Sequence, residues 1–250
     1  MRKLIGVIFT MVLLSCNGEH VPDCFQNAGD LIEREFEVDV FTQITAYPRI
    51  ELIITAGETQ NVMVQTGEYL MNDIEVKVVN GRLELYNNNG CNLTRDYALT
   101  KVFVTTPNLS EIRNGSGRTV SSLGVLNFDN LTLISEDSND EDAFSTDGNF
   151  DLEVDANFLR VVVNNLSNVV VDGEVNNLKL EYYSGDARFE GRDLMAQNVT
   201  IFQRSSNDMI INAQQSITGE IRSTGDVILV HTPPIIDVEQ FYTGQLIFED

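Results

Sequence analysis

Residues 161–185 read VVVNNLSNVVVDGEVNNLKLEYYSG, and this stretch decides the fold. Two apolar runs, 161–163 and 169–171, flank the dipeptide Ser167-Asn168, and a third, 178–182, leads into Ser184-Gly185. β-Branched residues dominate the first two runs, which suits a pleated, half-buried surface. Gly and Asn tolerate the left-handed backbone that a tight turn demands. The unit is therefore strand, tight turn, strand, connection. It recurs on both sides. Ser or Thr followed by Gly or Asn stands also at Ser116-Gly117, Ser138-Asn139, Ser206-Asn207, Thr224-Gly225 and Thr243-Gly244, and the seven turns are spaced by 22, 29, 17, 22, 18 and 19 residues. Further apolar runs flank them, at 131–134, 199–202, 209–211, 227–230 and 246–248. Thr66-Gly67 and Thr218-Gly219 fall out of register, so the flanking strands carry the repeat and the dipeptide alone does not.

A repeat of about 20 residues built from strands and turns fits a β-solenoid, in which each coil buries its apolar face only by stacking on the next. Leucine-rich repeats have a similar period, but these units do not align to their fixed Leu and Asn offsets. A β-sandwich with Greek-key connections is the rival. The 24 asparagines favour the solenoid, whose corners use them repeatedly. Upstream, Phe36, Val38 and Val40 alternate with acids, as do Ile74, Val76 and Val78 with Glu75 and Lys77. Asn80-Gly81, between two alternating runs, is a hairpin signal. The expected fold class is all-β, a right-handed parallel β-helix or β-solenoid-like body. Its domain is 31–250, with a hairpin region at 35–105 packed as a cap over one open coil end and repeat coils at 110–250.

Charge narrows the partners. The 250 residues carry 16 basic and 38 acidic side chains, a net charge of -22, and only two His and no Trp. Such a surface has no basic footprint for phosphates, which excludes nucleic acid as an expected partner. His20 and His231 are too few for a multi-histidine zinc site, and any Ser/His/Asp triad would rest on one of them. An apolar fraction of 42% still suffices for a core.

The first residues read as an address. Arg2 and Lys3 precede an apolar run at 4–14, too short to span a membrane, and residues 1–15 form a secretory signal. Leu13-Leu14-Ser15-Cys16 resembles the lipobox of bacterial lipoproteins, which implies lipid attachment at Cys16, a tether at 16–30 and a membrane partner reached through that anchor. Cleavage removes two positive charges and takes the chain from -22 to -24, so attachment must come from acyl chains. Cys24 and Cys91 then form an even residual pair, expected as a disulfide in a secreted chain, with two free thiols as the other reading.

Chemistry is sparse. Residues 135–151 hold seven carboxylates, and Asp137, Asn139 and Glu141 have the alternate spacing of a calcium loop. Asp142 stands where such a loop needs glycine, so a solvated acidic loop is the plainer reading and no metal or cofactor is expected. Asp186, Glu190, Asp193 and Asp208 are carboxylates that stacked coils could pair for glycoside chemistry. Tyr182, Tyr183, Phe189 and Phe202 could stack on sugars or fill the core. His231, before Thr232-Pro233-Pro234, reads as a surface histidine. Six Asn-x-Ser/Thr triplets, beginning at Asn92, Asn108, Asn114, Asn130, Asn165 and Asn198, read as coincidental in a chain with 24 asparagines and a segment resembling a bacterial lipobox.

Several stretches resemble one family. Asp23-Cys24-Phe25-Gln26, the run 87–91, Glu111-Ile112-Arg113-Asn114-Gly115-Ser116-Gly117, Tyr183-Ser184-Gly185-Asp186 and Tyr242-Thr243-Gly244 are similar to the Bacteroidetes-type lipoproteins described as "putative auto-transporter adhesin, head GIN domain". The likeness spans 23–250, although the literal tripeptide Gly-Ile-Asn does not occur. It implies a β-helical cell-envelope protein and offers no catalytic residues. The expected function is a lipid-anchored envelope adhesin or binding module, without catalysis, that takes a glycan or protein ligand on its long faces at the outer membrane, on its surface or periplasmic side. A structural, periplasm-facing component and a carbohydrate-active enzyme are the other readings.

Overall fold

The structure, a computed structural model, describes residues 26–91, 100–136 and 145–249. The protein is all-β. Its first seven strands are β1 (Leu31–Glu35), β2 (Gln43–Ala46), β3 (Glu51–Ala56), β4 (Asn61–Gly67), β5 (Ile74–Val79), β6 (Arg82–Asn87) and β7 (Lys101–Thr106). Next come β8 (Glu111–Asn114), β9 (Val120–Leu126), β10 (Asn130–Ser135), β11 (Phe150–Asn165), β12 (Val169–Gly185) and β13 (Phe189–Gln203). β14 (Met209–Ile221), β15 (Val227–Leu229), β16 (Ile235–Gln240) and β17 (Leu246–Phe248) complete the order.

Pairings sort these strands into two rows. The front row runs β5-β6-β2-β8-β10, continues through the second halves of β11, β12, β13 and β14, and ends at β16. The back row runs β1-β4-β7-β3-β9, continues through the first halves of the same four long strands, and ends at β15 and β17. From β8 onward the chain alternates front and back, and each segment pairs in parallel with the one about a coil earlier: Leu159 with Leu178, Leu178 with Val199, Val199 with Ile217. The Greek-key rival needs antiparallel neighbours and does not describe these ladders.

In-register parallel strands stack like side chains in columns. Leu83, Ile44, Ile112, Leu133, Val161, Leu180 and Ile201 form one inward column of the front row. Val64, Val102, Leu52, Val120, Phe150, Val169, Phe189, Met209 and Val227 form its counterpart in the back row. All are buried. Each such side chain contributes roughly 1.5–3 kcal/mol by leaving water, so the interior between the rows is the source of stability. Polar ladders hold the edges. At one edge Asn176 Nδ2 donates to Asn157 Oδ1 at 3.2 Å, and Ser216 Oγ to Asn198 Oδ1 at 2.9 Å. At the other, the Ser205 hydroxyl donates to the Ala187 carbonyl at 2.7 Å, and Gly185 takes a φ of +89° where a Cβ would lie 2.0 Å from the Asn165 carbonyl oxygen. Here the Asn and Gly of the sequence meet their structural need.

Three expectations change. Region 35–105 is not a separate hairpin layer: β2 and β3 join the parallel stack, lodged between β6–β7 and β8–β9, and antiparallel pairing is confined to β1–β4, β4–β7 and β5–β6. Local alternation reveals a strand but not its partner. The Asn80-Gly81 hairpin between β5 and β6 is present, with φ of 52° and 77°. Secondly, strands such as β11 run unbroken from back to front, so a coil has its tight turn at one edge only. Lastly, Ser116 bridges to Ser145, while Ser138-Asn139 lies outside the described residues.

The two ends of the stack differ. At the β1/β5 end, residues 36–41 cross from back to front. Phe36 and Val38 pack on the core, Phe41 is buried, and the Gln60 amide donates to the Asp39 carbonyl at 3.1 Å. At the other end β16 and β17 are the outermost strands. No helix among the described residues is long and apolar enough to cross a membrane.

Candidate functional site

The outer surfaces of the two rows carry different chemistry. On the front, outward positions of adjacent coils bring Arg160, Lys179 and Glu181 together, because Arg160 pairs with Lys179 and Val162 with Glu181. The Glu181 carboxylate accepts from Arg160 Nε at 2.6 Å, from Lys179 Nζ at 3.0 Å and from the Tyr183 hydroxyl at 3.0 Å. Glu181 is only 8% exposed. Burial alone would lift its pKa, but the hydrogen bonds from Lys179, Arg160 and Tyr183 outweigh burial and hold it below the usual carboxylate range.

Tyr183 is the extra residue of a β-bulge, since Val163 pairs with Tyr182 and Asn164 with Ser184. A bulge re-aims a side chain. It places the Tyr183 ring 5.5 Å from that of Phe202, tilted by 47°. An aromatic platform thus abuts a neutralised polar cluster. Farther along the front row, Arg82 pairs with Glu111 at 2.8 Å, and Tyr47 stacks on Tyr86 at 4.0 Å with the Lys77 ammonium 4.5 Å from the Tyr86 ring centre.

The back surface is acidic. Asp151, Glu153, Asp172, Glu190 and Asp193 point outward on neighbouring strands, and the pKa of Asp172 is raised by burial and then by the charges of Asp193, Asp151, Glu153 and Glu190. Relief comes from Arg188, 3.0 Å from Glu190 and 3.7 Å from Asp208. Arg192 reaches Glu249 at 3.0 Å and also lies 3.9 Å from Glu190.

The residues singled out by sequence for chemistry disperse over the molecule. Of the four aromatics, Tyr182 and Phe189 are buried in the core, and only Tyr183 and Phe202 form a surface pair. Of the four carboxylates weighed for glycoside chemistry, Asp186 accepts from the Ser206 hydroxyl at 2.7 Å, Asp193 faces the acidic strip, and Glu190 and Asp208 share Arg188. His231 is exposed, with Nδ1 2.7 Å from the Ala213 carbonyl oxygen. Among the described residues no group of three His, Cys, Asp or Glu side chains could hold a metal ion. Cys16, Cys24, Asp137, Asn139 and Glu141 lie outside the described residues. Sequence reading missed Arg160, Lys179 and Glu181. The signal was the repeat itself, since residues 19 to 21 apart become neighbours.

Residues 40–233 match the family described as "putative auto-transporter adhesin, head GIN domain". No curated protein matches the chain. Among solved structures, one described as a putative adhesin from Bacteroides fragilis has a TM-score of 0.78 and 21% identity, and covers 89% of this chain and 99% of its own. A second, described as a putative lipid binding protein from Parabacteroides distasonis, has a TM-score of 0.66 and 14% identity over 89% and 98%. A third, a putative adhesin from Parabacteroides merdae, has a TM-score of 0.57 and 14% identity over 89% and 97%. These likenesses establish the all-β fold, and the match over residues 40–233 places the chain in the family of the putative auto-transporter adhesin head GIN domain.

Proposed function

We propose that this family member is a lipid-anchored cell-envelope binding module without catalytic activity, whose body is a right-handed parallel β-helix presenting the front surface to a glycan or protein ligand. The observation that carries the reading is the division of charge across β11–β13: there the front surface has its ions paired around an aromatic platform, whereas the back surface is acidic and would repel most biological polymers. Parallel rungs and the strong right-handed preference of parallel crossovers support the β-helix. Leu13-Leu14-Ser15-Cys16 supports the anchor and outer-membrane placement.

A Cys24–Cys91 bridge fits the same arrangement. Gln26 Nε2 donates to the Tyr69 carbonyl at 3.0 Å, and Asn89 Nδ2 to the Leu70 carbonyl at 3.2 Å, so residues two positions from each cysteine dock on adjacent peptides. The bridge would fasten the tether to the β1 end. Non-reducing mass mapping of the secreted chain tests it.

The ligand reading is tested by presenting the full-length protein to a glycan array and to host-cell surface protein, against the Tyr183→Ala/Phe202→Ala variant. Loss of binding with an unchanged melting curve is expected; equal binding by the variant removes the front platform from the function. A liposome arm tests lipid as the ligand, prompted by the neighbour from Parabacteroides distasonis. Cys16→Ala is expected to release the protein from membranes, and protease shaving of intact cells distinguishes a surface from a periplasmic face.

A further inference from the structure

The β16/β17 end of the stack is open in a way the β1/β5 end is not. Ile236 continues the column of buried Ile217, and Val238 stands over Gly219; Phe248 stands over buried Leu229. These side chains point into the stack, yet Ile236 is 40% exposed and Phe248 45%. The backbone is open as well. Phe241 N–H donates to the Ile221 carbonyl at 2.8 Å, and in a parallel strand alternate residues direct both N–H and C=O to the same side. Ile236 and Val238 therefore direct theirs away from β14, toward the free edge. On β17 the Leu246 N–H is occupied by the Gln240 side-chain oxygen at 3.3 Å, which among the described residues leaves β16 as the longer unpaired edge.

We propose that this edge accepts an extended segment of a partner protein in which apolar and basic residues alternate. Strand addition supplies main-chain hydrogen bonds, and side chains set the specificity. On an added strand one side would cover Ile236 and Val238, and so must be apolar. Its other side would lie beside Asp237 and Glu239, which point outward, and so must be basic.

Other occupants fit less well. Gln26, the first described residue, docks at the β1 end, and ten strand spacings of about 4.8 Å put β17 roughly 48 Å away, beyond the roughly 35 Å that the ten residues from Cys16 could span when fully extended. A second copy paired edge to edge would align Asp237 and Glu239 with their own images, between chains of net charge -22 each; like charges across a ladder are unfavourable. Phe202 stands on the same outward face two rungs away from Glu239, through Glu220, and the two readings are told apart by variants: Tyr183→Ala/Phe202→Ala leaves the β16 edge intact, whereas Val238→Pro leaves the aromatic pair intact.

The test uses the full-length chain in a non-ionic detergent and fluorescent ten-residue probes, read by anisotropy: alternating Val and Lys, the same composition in two blocks, and alternating Val and Glu. The alternating Val–Lys probe is expected to bind at least about tenfold more tightly than the other two, and Val238→Pro, which removes an edge-facing N–H, to abolish that advantage. The Asp237→Lys/Glu239→Lys variant is expected to transfer the preference to the Val–Glu probe, and it decides the matter should Val238→Pro fail to fold. Equal binding of the block probe, or an unchanged preference in the charge-reversed variant, overturns the proposal. Sedimentation of the wild type as a dimer that Val238→Pro dissociates overturns it in favour of a second copy.

Discussion

The front and back surfaces share one interior but spend the chain's acidity differently. On the front, Glu181 is nearly buried and satisfied by three donors; on the back, Asp172 is exposed and surrounded by carboxylates. The contrast separates charge that organises a surface from charge that only repels. The same residue class has its pKa pushed in opposite directions on the two sides, down at Glu181 and up at Asp172. A net charge of -22 is therefore a poor guide to what either surface can bind.

Substitutions can break this contrast, beginning with the interior that both sides share. Leu180→Ala, in the buried front column, is expected to cost about 3 kcal/mol in urea denaturation while leaving the pH dependence of stability unchanged. A changed pH profile would mean that the surfaces are not independent of the core. Glu181→Gln is expected to cost about 2 kcal/mol at neutral pH, because Arg160 and Lys179 lose their shared acceptor. The sign with pH follows from its lowered pKa: Glu181 stabilises the fold above the unfolded value of about 4.3, and that contribution is lost as pH falls through the lower folded value. Thermal melts between pH 3 and 7 should accordingly show a shallower acid decline in the variant.

Effects on the back surface are smaller. Arg188→Ala removes the ion-pair partner of Asp208 and leaves Glu190 only the longer contact with Arg192 at 3.9 Å, and is expected to cost about 0.5–1 kcal/mol at low salt, with part recovered at molar salt. Asp172→Asn is expected to raise the melting temperature by about 1 °C or less at neutral pH and low salt, the exposed site being well screened. Because its folded pKa is raised, the Asp172 penalty is fully present above that value and is relieved as pH falls toward the unfolded value of about 3.9. A destabilising Asp172→Asn would show that the acidic strip is satisfied in a way its electrostatics do not suggest.

Much of this was legible in the sequence, and the limit was one of range. Alternation exposed the strands, Asn80-Gly81 its hairpin, and the turn dipeptides a coil near 20 residues. Tyr183 and Phe202 were singled out, but no local pattern separated them from Tyr182 and Phe189. The bulge that turns Tyr183 outward is a register event between two strands, invisible in either alone. Lys179 and Glu181 are two polar residues inside the run 178–182, and Arg160 becomes their neighbour only once the coil length is known to within a residue. The insertion of β2 and β3 between later strands had no local signature, because partner choice is not written in the period of a strand.

That insertion bears on how the chain can be made. β2 and β3 leave the ribosome before any of their four neighbours, and each waits for partners on both sides: β6 and β8 for one, β7 and β9 for the other. The amino-terminal quarter cannot close as an independent folding unit, because at least 60 further residues must arrive first, and such delayed non-local pairing is slow and exposes sticky edges. Coils from β8 onward each stack on the one just completed and can zip up in order of arrival. Folding therefore runs most readily from the later coils back toward the β1/β5 end, and a helper that shields β2 and β3 until their neighbours arrive would have most to offer at that stage.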